Sequence, residues 1–327
     1  MQLPVVTEEH HEQYHQFFQS GKGKHPRQKL RSVADVLYKE DPGFFGFLEG
    51  VCGEFPLAAY APYFMLKQAA GGSLPTIDDT VKATVLQESF EYAPSRMILS
   101  LIDKCPPVAK HFLETTTLPK LGKDLSPPEY TEIYERTKQF VLAYSMIERQ
   151  LLGGGPTLDL NAGIVDPVLD AMPVITREHA LQVRAVRDRV ADTMNTKLLT
   201  AQIEKNDPEL LRFYMGLTDG SGIAIPSAYE GYILAAGGKL PRISDAVKVQ
   251  VVQEYGPKGS AQQGEKVRQV LDSIKANNVE SISLVGDMIG AGQRMGGKDL
   301  ARQVVLEHVL FYVMLERQIA LNKENKK

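Results

Sequence analysis

The chain has 327 residues, 43% of them hydrophobic, which is enough apolar material for two ordinary domains with a core each. Its 37 lysines and arginines nearly balance 40 aspartates and glutamates, and the formal net charge is -3, so we expect no nucleic-acid partner. The longest apolar runs are shorter than the roughly 20 residues that span a bilayer. We therefore expect a soluble or peripheral protein with no transmembrane segment.

In chain order, the first predicted helix opens behind Thr7, an N-cap residue followed by two glutamates where the helix dipole favours negative charge. Ser126 begins a Ser-x-x-Glu capping box with proline at the first helical position, which predicts a long closing helix for this half. Helical spacing of apolar residues, interrupted by proline and glycine, predicts the elements between them. These cover residues 29–39, 42–54, 77–91, 95–104 and 108–113.

The same pattern then occurs a second time, beginning at Thr176. Four blocks recur in the same order at a nearly constant offset, which indicates an internal duplication. They are residues 4–10 and 173–179, 41–42 and 207–208, 71–88 and 237–254, and 141–150 and 309–318. We predict an all-α fold of two tandem helical modules related by a pseudo-twofold axis. The modules would cover residues 1–152 and 173–327, joined by a linker at residues 153–172.

Two features of the second half concern its closing region. Apolar residues at helical spacing, with His308 among them, predict a closing helix over residues 298–322. The glycine-rich residues 286–297 resemble a phosphate loop, but they follow no strand and lack the Gly-Lys-Ser/Thr ending. We interpret them as a connection that breaks the helix.

Two sets of residues have types suited to chemistry. His11 and His15 are one helical turn apart, as metal ligands would be, but the second half keeps only His179, so a solvated polar face is favoured. Four glutamates are related by the repeat and could serve as acid, base or metal ligands in an enzyme acting on an apolar substrate. Duplicated ion pairs at helix ends are the favoured interpretation. These glutamates are Glu88, Glu148, Glu254 and Glu316.

Aromatic residues concentrate around the second helical region of each half. Most of them are expected to fill a core. A helical module this rich in aromatic residues could also enclose a large, flat or elongated apolar ligand. The residues that would line such a cavity are Phe44, Phe47, Tyr63, Tyr214 and Tyr232.

The order of elements resembles the peridinin-chlorophyll a-protein family, the soluble light-harvesting proteins of dinoflagellates. In each half an opening helix precedes an Asp-Pro helix, a connection with glycine and proline, an Asp-led helix and a long closing helix. The residues that mark this order are Asp41, Pro42, Asp79, Asp207, Pro208 and Asp245. The resemblance covers nearly the whole chain by pattern. It implies a plastid protein at the thylakoid that binds chlorophyll and carotenoid, or a peripheral subunit of a photosystem or antenna.

In that family a histidine on the Asp-Pro helix holds a chlorophyll magnesium through a water molecule. The corresponding positions here are Cys52 and Gly53 in one half and Thr218 and Asp219 in the other, and neither half has a histidine there. A thiol is a poor ligand for magnesium, although a threonine hydroxyl or an aspartate-bound water could serve. The resemblance thus adds Cys52 and Thr218 to the predicted pocket. A helical scaffold for protein partners, with all the aromatic residues in its core, is the alternative function.

Overall fold

The computed structural model describes residues 3–23, 25–53, 56–88, 127–153, 166–193, 195, 197–218, 224–256 and 261–325. Every regular element in these ranges is a helix, which confirms the predicted all-α class. Two compact units are present, Met1–Thr157 (unit 1) and Leu158–Lys327 (unit 2). The pseudo-twofold relation between them stays a prediction. The predicted helices at 95–104 and 108–113, the cap at Ser126 and most of the predicted linker lie outside the described residues.

Unit 1 contains six described α-helices and one short 3-10 turn, Leu57–Ala59, which leads directly into the fourth helix. Asp41 ends the second helix and caps the third, because its side chain accepts the Phe44 N–H at 2.9 Å. The helices are α1 Glu8–Ser20, α2 Pro26–Glu40, α3 Pro42–Cys52, α4 Tyr60–Ala69, α5 Asp79–Glu88 and α6 Pro127–Leu151.

Unit 2 follows the same plan with more of its chain described. Asp207 caps its Asp-Pro helix by accepting the Leu210 N–H at 3.0 Å, and its other carboxylate oxygen accepts the Ile243 N–H at 3.3 Å. The helices are α7 Arg177–Thr193, α8 Lys197–Asn206, α9 Pro208–Leu217, α10 Ala224–Ala235, α11 Asp245–Tyr255, α12 Ala261–Asn277 and α13 Val279–Glu324.

The last helix, α13, consists of two arms that fold back on each other. Its backbone leaves the helical region at Gly297, where φ is 72° and ψ is -153°. Ser281 Oγ lies 3.1 Å from His308 Nε2, although an unbroken helix would separate two such residues by about 40 Å. We name residues 279–296 the first arm and residues 298–324 the second arm. The predicted closing helix is the second arm, whereas the glycine-rich segment is helical up to the break, so its interpretation as a connection is correct only at its end.

Helices α4 and α10 lie where the sequence predicted only connections. All side chains from Tyr60 to Leu66 are buried, as are most of those in α10. A helix that is apolar on every side shows no amphipathic period, so the pattern that reveals a half-exposed helix is missing. Pro62 and Pro226 lie in the first turns of these helices, where the missing N–H costs nothing.

Both buried helices end at a pair of glycines in the left-handed region. The N–H of the second glycine donates to the carbonyl of Lys67 in unit 1 and of Ile233 in unit 2, at 2.8 Å in each case. Glycine adopts this conformation without the strain that a Cβ brings, which explains why the pair occurs twice. The glycines are Gly71 (φ 83°), Gly72 (φ 97°), Gly237 (φ 71°) and Gly238 (φ 98°).

The opening helices use histidine for a structural purpose. His10 Nδ1 accepts the backbone N–H of Thr7 at 3.0 Å, and His179 Nδ1 accepts that of Thr176 at 3.2 Å. These bonds satisfy backbone donors at the start of α1 and α7. His10 and His179, which occupy equivalent positions of the repeat, therefore act as helix caps.

Among the described helices, none combines the length and the apolar character that a bilayer crossing requires.

Candidate functional site

The aromatic residues predicted to line a ligand cavity are core residues. In unit 1, Phe44 and Phe47 are 0% exposed and Tyr63 is 5% exposed. The Phe44 ring centroid lies 5.9 Å from that of Tyr63, and the Phe45 ring lies 5.0 Å from Tyr63. The structure brings Phe44 and Tyr63 together, and their faces contact other rings, so the predicted residues fill the interior of unit 1.

The two predicted tyrosines of unit 2 are buried as well, and their hydroxyl groups have partners. Tyr214 donates to the sulfur of Met314 at 3.2 Å. The Tyr232 ring lies 5.9 Å from Phe311, and its hydroxyl is 2.8 Å from Ser281 Oγ. Both tyrosines therefore link an Asp-Pro or buried helix to α13.

Cys52 and Thr218, which the resemblance placed in the pocket, are only partly buried. Each lies at the C-terminal end of the Asp-Pro helix of its unit, with Gly53 at φ 68° directly after Cys52. The Thr218 hydroxyl donates to the Tyr214 carbonyl at 2.9 Å, one turn back along α9.

The duplicated glutamates fall into two types. Glu88 receives two 2.8 Å hydrogen bonds from the guanidinium of Arg149, and at the matching position of unit 2 Glu254 Oε2 accepts one hydrogen bond from Arg317 Nη2. These pairs are partly exposed and join α5 to α6 and α11 to α13. Glu148 is half-buried, which raises its pKa, and Glu316 is exposed. The structure places Glu88 and Glu254 in structural ion pairs, the favoured sequence interpretation for them.

Unit 2 also contains a chain of buried polar groups that sequence reasoning did not find. Ser281 Oγ on the first arm of α13 lies 2.8 Å from the Tyr232 hydroxyl on α10 and 3.1 Å from His308 Nε2 on the second arm. All three side chains are 0% exposed. Burial lowers the pKa of His308 to about 4, so its imidazole is neutral at ordinary pH. Nδ1 of His308 is buried without a hydrogen-bond partner among the described residues.

Beside this chain, Glu307 places a carboxyl group at the N-terminus of α10. Oε2 accepts the Ala224 N–H at 3.0 Å and Oε1 accepts from Gln303 Nε2 at 3.0 Å. The side chain is 2% exposed. Burial raises the pKa of Glu307 to about 7, and the hydrogen bonds from Ala224, Gln303 and Ile225 offset part of that rise.

Unit 1 has a neutral amide where unit 2 has this carboxyl. Gln139 stands two residues before Val141 as Glu307 stands two residues before Val309, within the repeated closing segment. Gln139 Oε1 accepts the Ala58 N–H at 3.2 Å, at the start of the 3-10 turn that leads into α4. The two units therefore make the same connection with side chains of different charge.

The sequence held one signal for this polar cluster. His308 occupies an apolar face of the predicted closing helix, where a histidine is expected to be buried. Ser281 gave no signal, because its contact with Tyr232 and His308 depends on the reversal of the chain at Gly297. Glu307 could have been noticed only by aligning it with Gln139.

Within the described ranges, no group of three or more histidine, cysteine, aspartate or glutamate side chains is arranged to hold a metal ion. Comparisons of the chain with protein-family models, with curated proteins and with solved structures find no match.

Proposed function

We propose that this chain is a helical scaffold for protein partners, acting as a peripheral subunit of a photosystem or antenna at the thylakoid of a plastid. One observation carries the scaffold role: the five aromatic side chains that a pigment cavity would need are buried against other side chains. The resemblance to the peridinin-chlorophyll a-protein family supplies the class of partner.

The packing of these rings favours the scaffold because a tetrapyrrole needs a wide apolar wall. Phe44, Phe47, Tyr214 and Tyr232 are each at most 1% exposed. Side chains packed to this extent can contact a macrocycle only if the helices around them move apart. The duplicated caps, glycine turns and ion pairs fix the helices of each unit, as a rigid binding surface requires.

The test is chemical cross-linking of membranes from the natural source, followed by identification of the linked lysine pairs. The proposal predicts links between this chain and subunits of one photosystem or antenna complex. It also predicts comigration of the chain with that complex on a native gel. Migration of the chain on its own, with no such links, would overturn it.

Pigment binding is the second candidate, favoured by the positions of Cys52 and Thr218. These are the two predicted pocket residues that are partly exposed, and both lie at the end of an Asp-Pro helix. Reconstitution with chlorophyll a and a carotenoid tests it, with the Cys52→Ala, Thr218→Val double variant as the control. Pigment bound in a fixed ratio by the natural chain and lost in the double variant would establish this candidate.

A further inference from the structure

We propose that Glu307 is a proton-operated switch that sets how tightly the N-terminus of α10 is held against the second arm of α13. The inference concerns unit 2 alone and is independent of the proposed scaffold function. It rests on the position of one carboxyl group, on the lack of a compensating cation beside it among the described residues, and on a matched position in unit 1.

The carboxyl group joins two elements inside an apolar region. Its Oε2 accepts the Ala224 N–H, the first N–H of α10. Ala224 is 1% exposed and packs with Met288 and Val304, one from each arm of α13. A change of charge on Glu307 therefore alters the stability of the contact between α10 and both arms of α13.

In the part of the chain that the structure describes, no cationic side chain pairs with Glu307. From α9, the Tyr214 hydroxyl is the titratable group within electrostatic range, and it donates to Met314. From α10 come backbone N–H groups, and on α13 the neighbours are the neutral Gln303 and a His308 that faces Ser281. Among the described residues of α7, α11 and α12, none forms an ion pair with Glu307. An ionised carboxylate here is a buried charge held only by hydrogen bonds.

The direction of the response follows from proton linkage. Burial raises the pKa of Glu307 from 4.5 to about 7 in the folded chain. The folded state thus binds the proton more tightly than an opened state does. The stabilisation is complete below about pH 4.5 and is lost as the pH rises through about 7. Protonation of Glu307 therefore stabilises the contact between the N-terminus of α10 and the second arm of α13, and ionisation destabilises it.

Unit 1 provides an internal control. Gln139 makes the corresponding bond to Ala58 with a neutral amide that does not titrate in this range. The junction between α6 and the start of α4 should consequently be insensitive to pH. A response confined to unit 2 is what distinguishes the switch from a general effect of pH on the fold.

The experiment is hydrogen exchange of the whole chain, read by mass spectrometry at about pH 5 and about pH 8.5 and corrected for the intrinsic pH dependence of exchange. We expect the opening constant around Ala224 and the second arm of α13 to rise roughly tenfold to a hundredfold. Peptides around Ala58 and α6 should not change. Glu307→Gln should abolish the response, and Gln139→Glu should create one in unit 1.

Three results would overturn the switch. The first is an equal pH response in both units, and the second is an unchanged response in Glu307→Gln. If that variant fails to fold, NMR titration of the glutamate carboxyl carbons in the natural chain decides. A Glu307 carboxyl that titrates near its ordinary pKa of about 4.5 would remove the basis of the proposal.

Discussion

The two units use the same contacts at their edges and different contacts in one part of their cores. Both have an aspartate cap, a pair of left-handed glycines, a histidine at the start of the opening helix and an Arg-Glu pair near the end of the closing helix. In the core, unit 1 places Gln139 and Phe140 where unit 2 places Glu307 and His308. The shared contacts define the helical framework, so the difference identifies what is particular to unit 2.

Replacing the aspartate caps should have the largest effect on the free energy of unfolding, and the loss should be larger for Asp207 than for Asp41. Asp207 is 3% exposed and accepts hydrogen bonds from two backbone N–H groups, whereas Asp41 accepts one from the Phe44 N–H. Asp207→Ala leaves two buried donors unsatisfied and should cost about 3–4 kcal/mol. Asp41→Ala should cost about 1–2 kcal/mol. Urea unfolding of the two variants measures the difference, and equal losses would show that the caps are equivalent.

The second largest effect on the free energy of unfolding is expected for Glu307→Gln, and it should appear only above acidic pH. Its pKa of about 7 against 4.5 implies that the carboxyl costs unit 2 about 3 kcal/mol at pH 8 and almost nothing near pH 4. The variant should therefore be more stable than the natural chain at high pH and equal to it at low pH. Thermal unfolding across the pH range checks this. A variant that is less stable at every pH would refute the sign.

The glycine pairs should respond equally in the two units. Gly72 and Gly238 have φ of 97° and 98°, and a Cβ added to either would meet no other atom within 4 Å. The cost of an alanine is thus backbone strain alone, about 1–2 kcal/mol at each site. The free energies of unfolding of Gly72→Ala and Gly238→Ala should agree. A clear difference between them would mean that the two turns are not the same structure.

The smallest effect belongs to the surface ion pairs. Arg149→Met and Arg317→Met should each lose less than about 1 kcal/mol, since Glu88 and Glu254 are about half exposed. Added salt should reduce the loss further. Unfolding at low and high ionic strength measures both quantities. Losses of several kcal/mol that persist in salt would indicate a role beyond pairing.

Much of the framework could be predicted because its signals are local. The caps at Asp41 and Asp207 and the helices behind them follow from short patterns, and the repeat makes each pattern more credible. Duplication favoured ion pairs for Glu88 and Glu254, but it did not identify Arg149 and Arg317 as their partners. The all-α class required only the helical spacing of apolar residues and the lack of alternating runs.

The rest depends on tertiary contacts that leave no local pattern. Helices α4 and α10 are mostly apolar and are buried around most of their circumference, so periodicity could not reveal them. The reversal of α13 depends on one backbone conformation at Gly297 within a segment that is otherwise helical. The buried cluster of Tyr232, Ser281 and His308 exists only because that reversal brings distant residues together.

The central claim is the proposal that the aromatic residues predicted to line a pigment cavity instead pack the cores of the two units. The most direct test is the visible absorption spectrum of the folded chain purified from its natural source and separated from every other polypeptide. The account predicts no chlorophyll or carotenoid bands at a fixed ratio to protein. Such bands, retained through purification in a constant ratio, would contradict it.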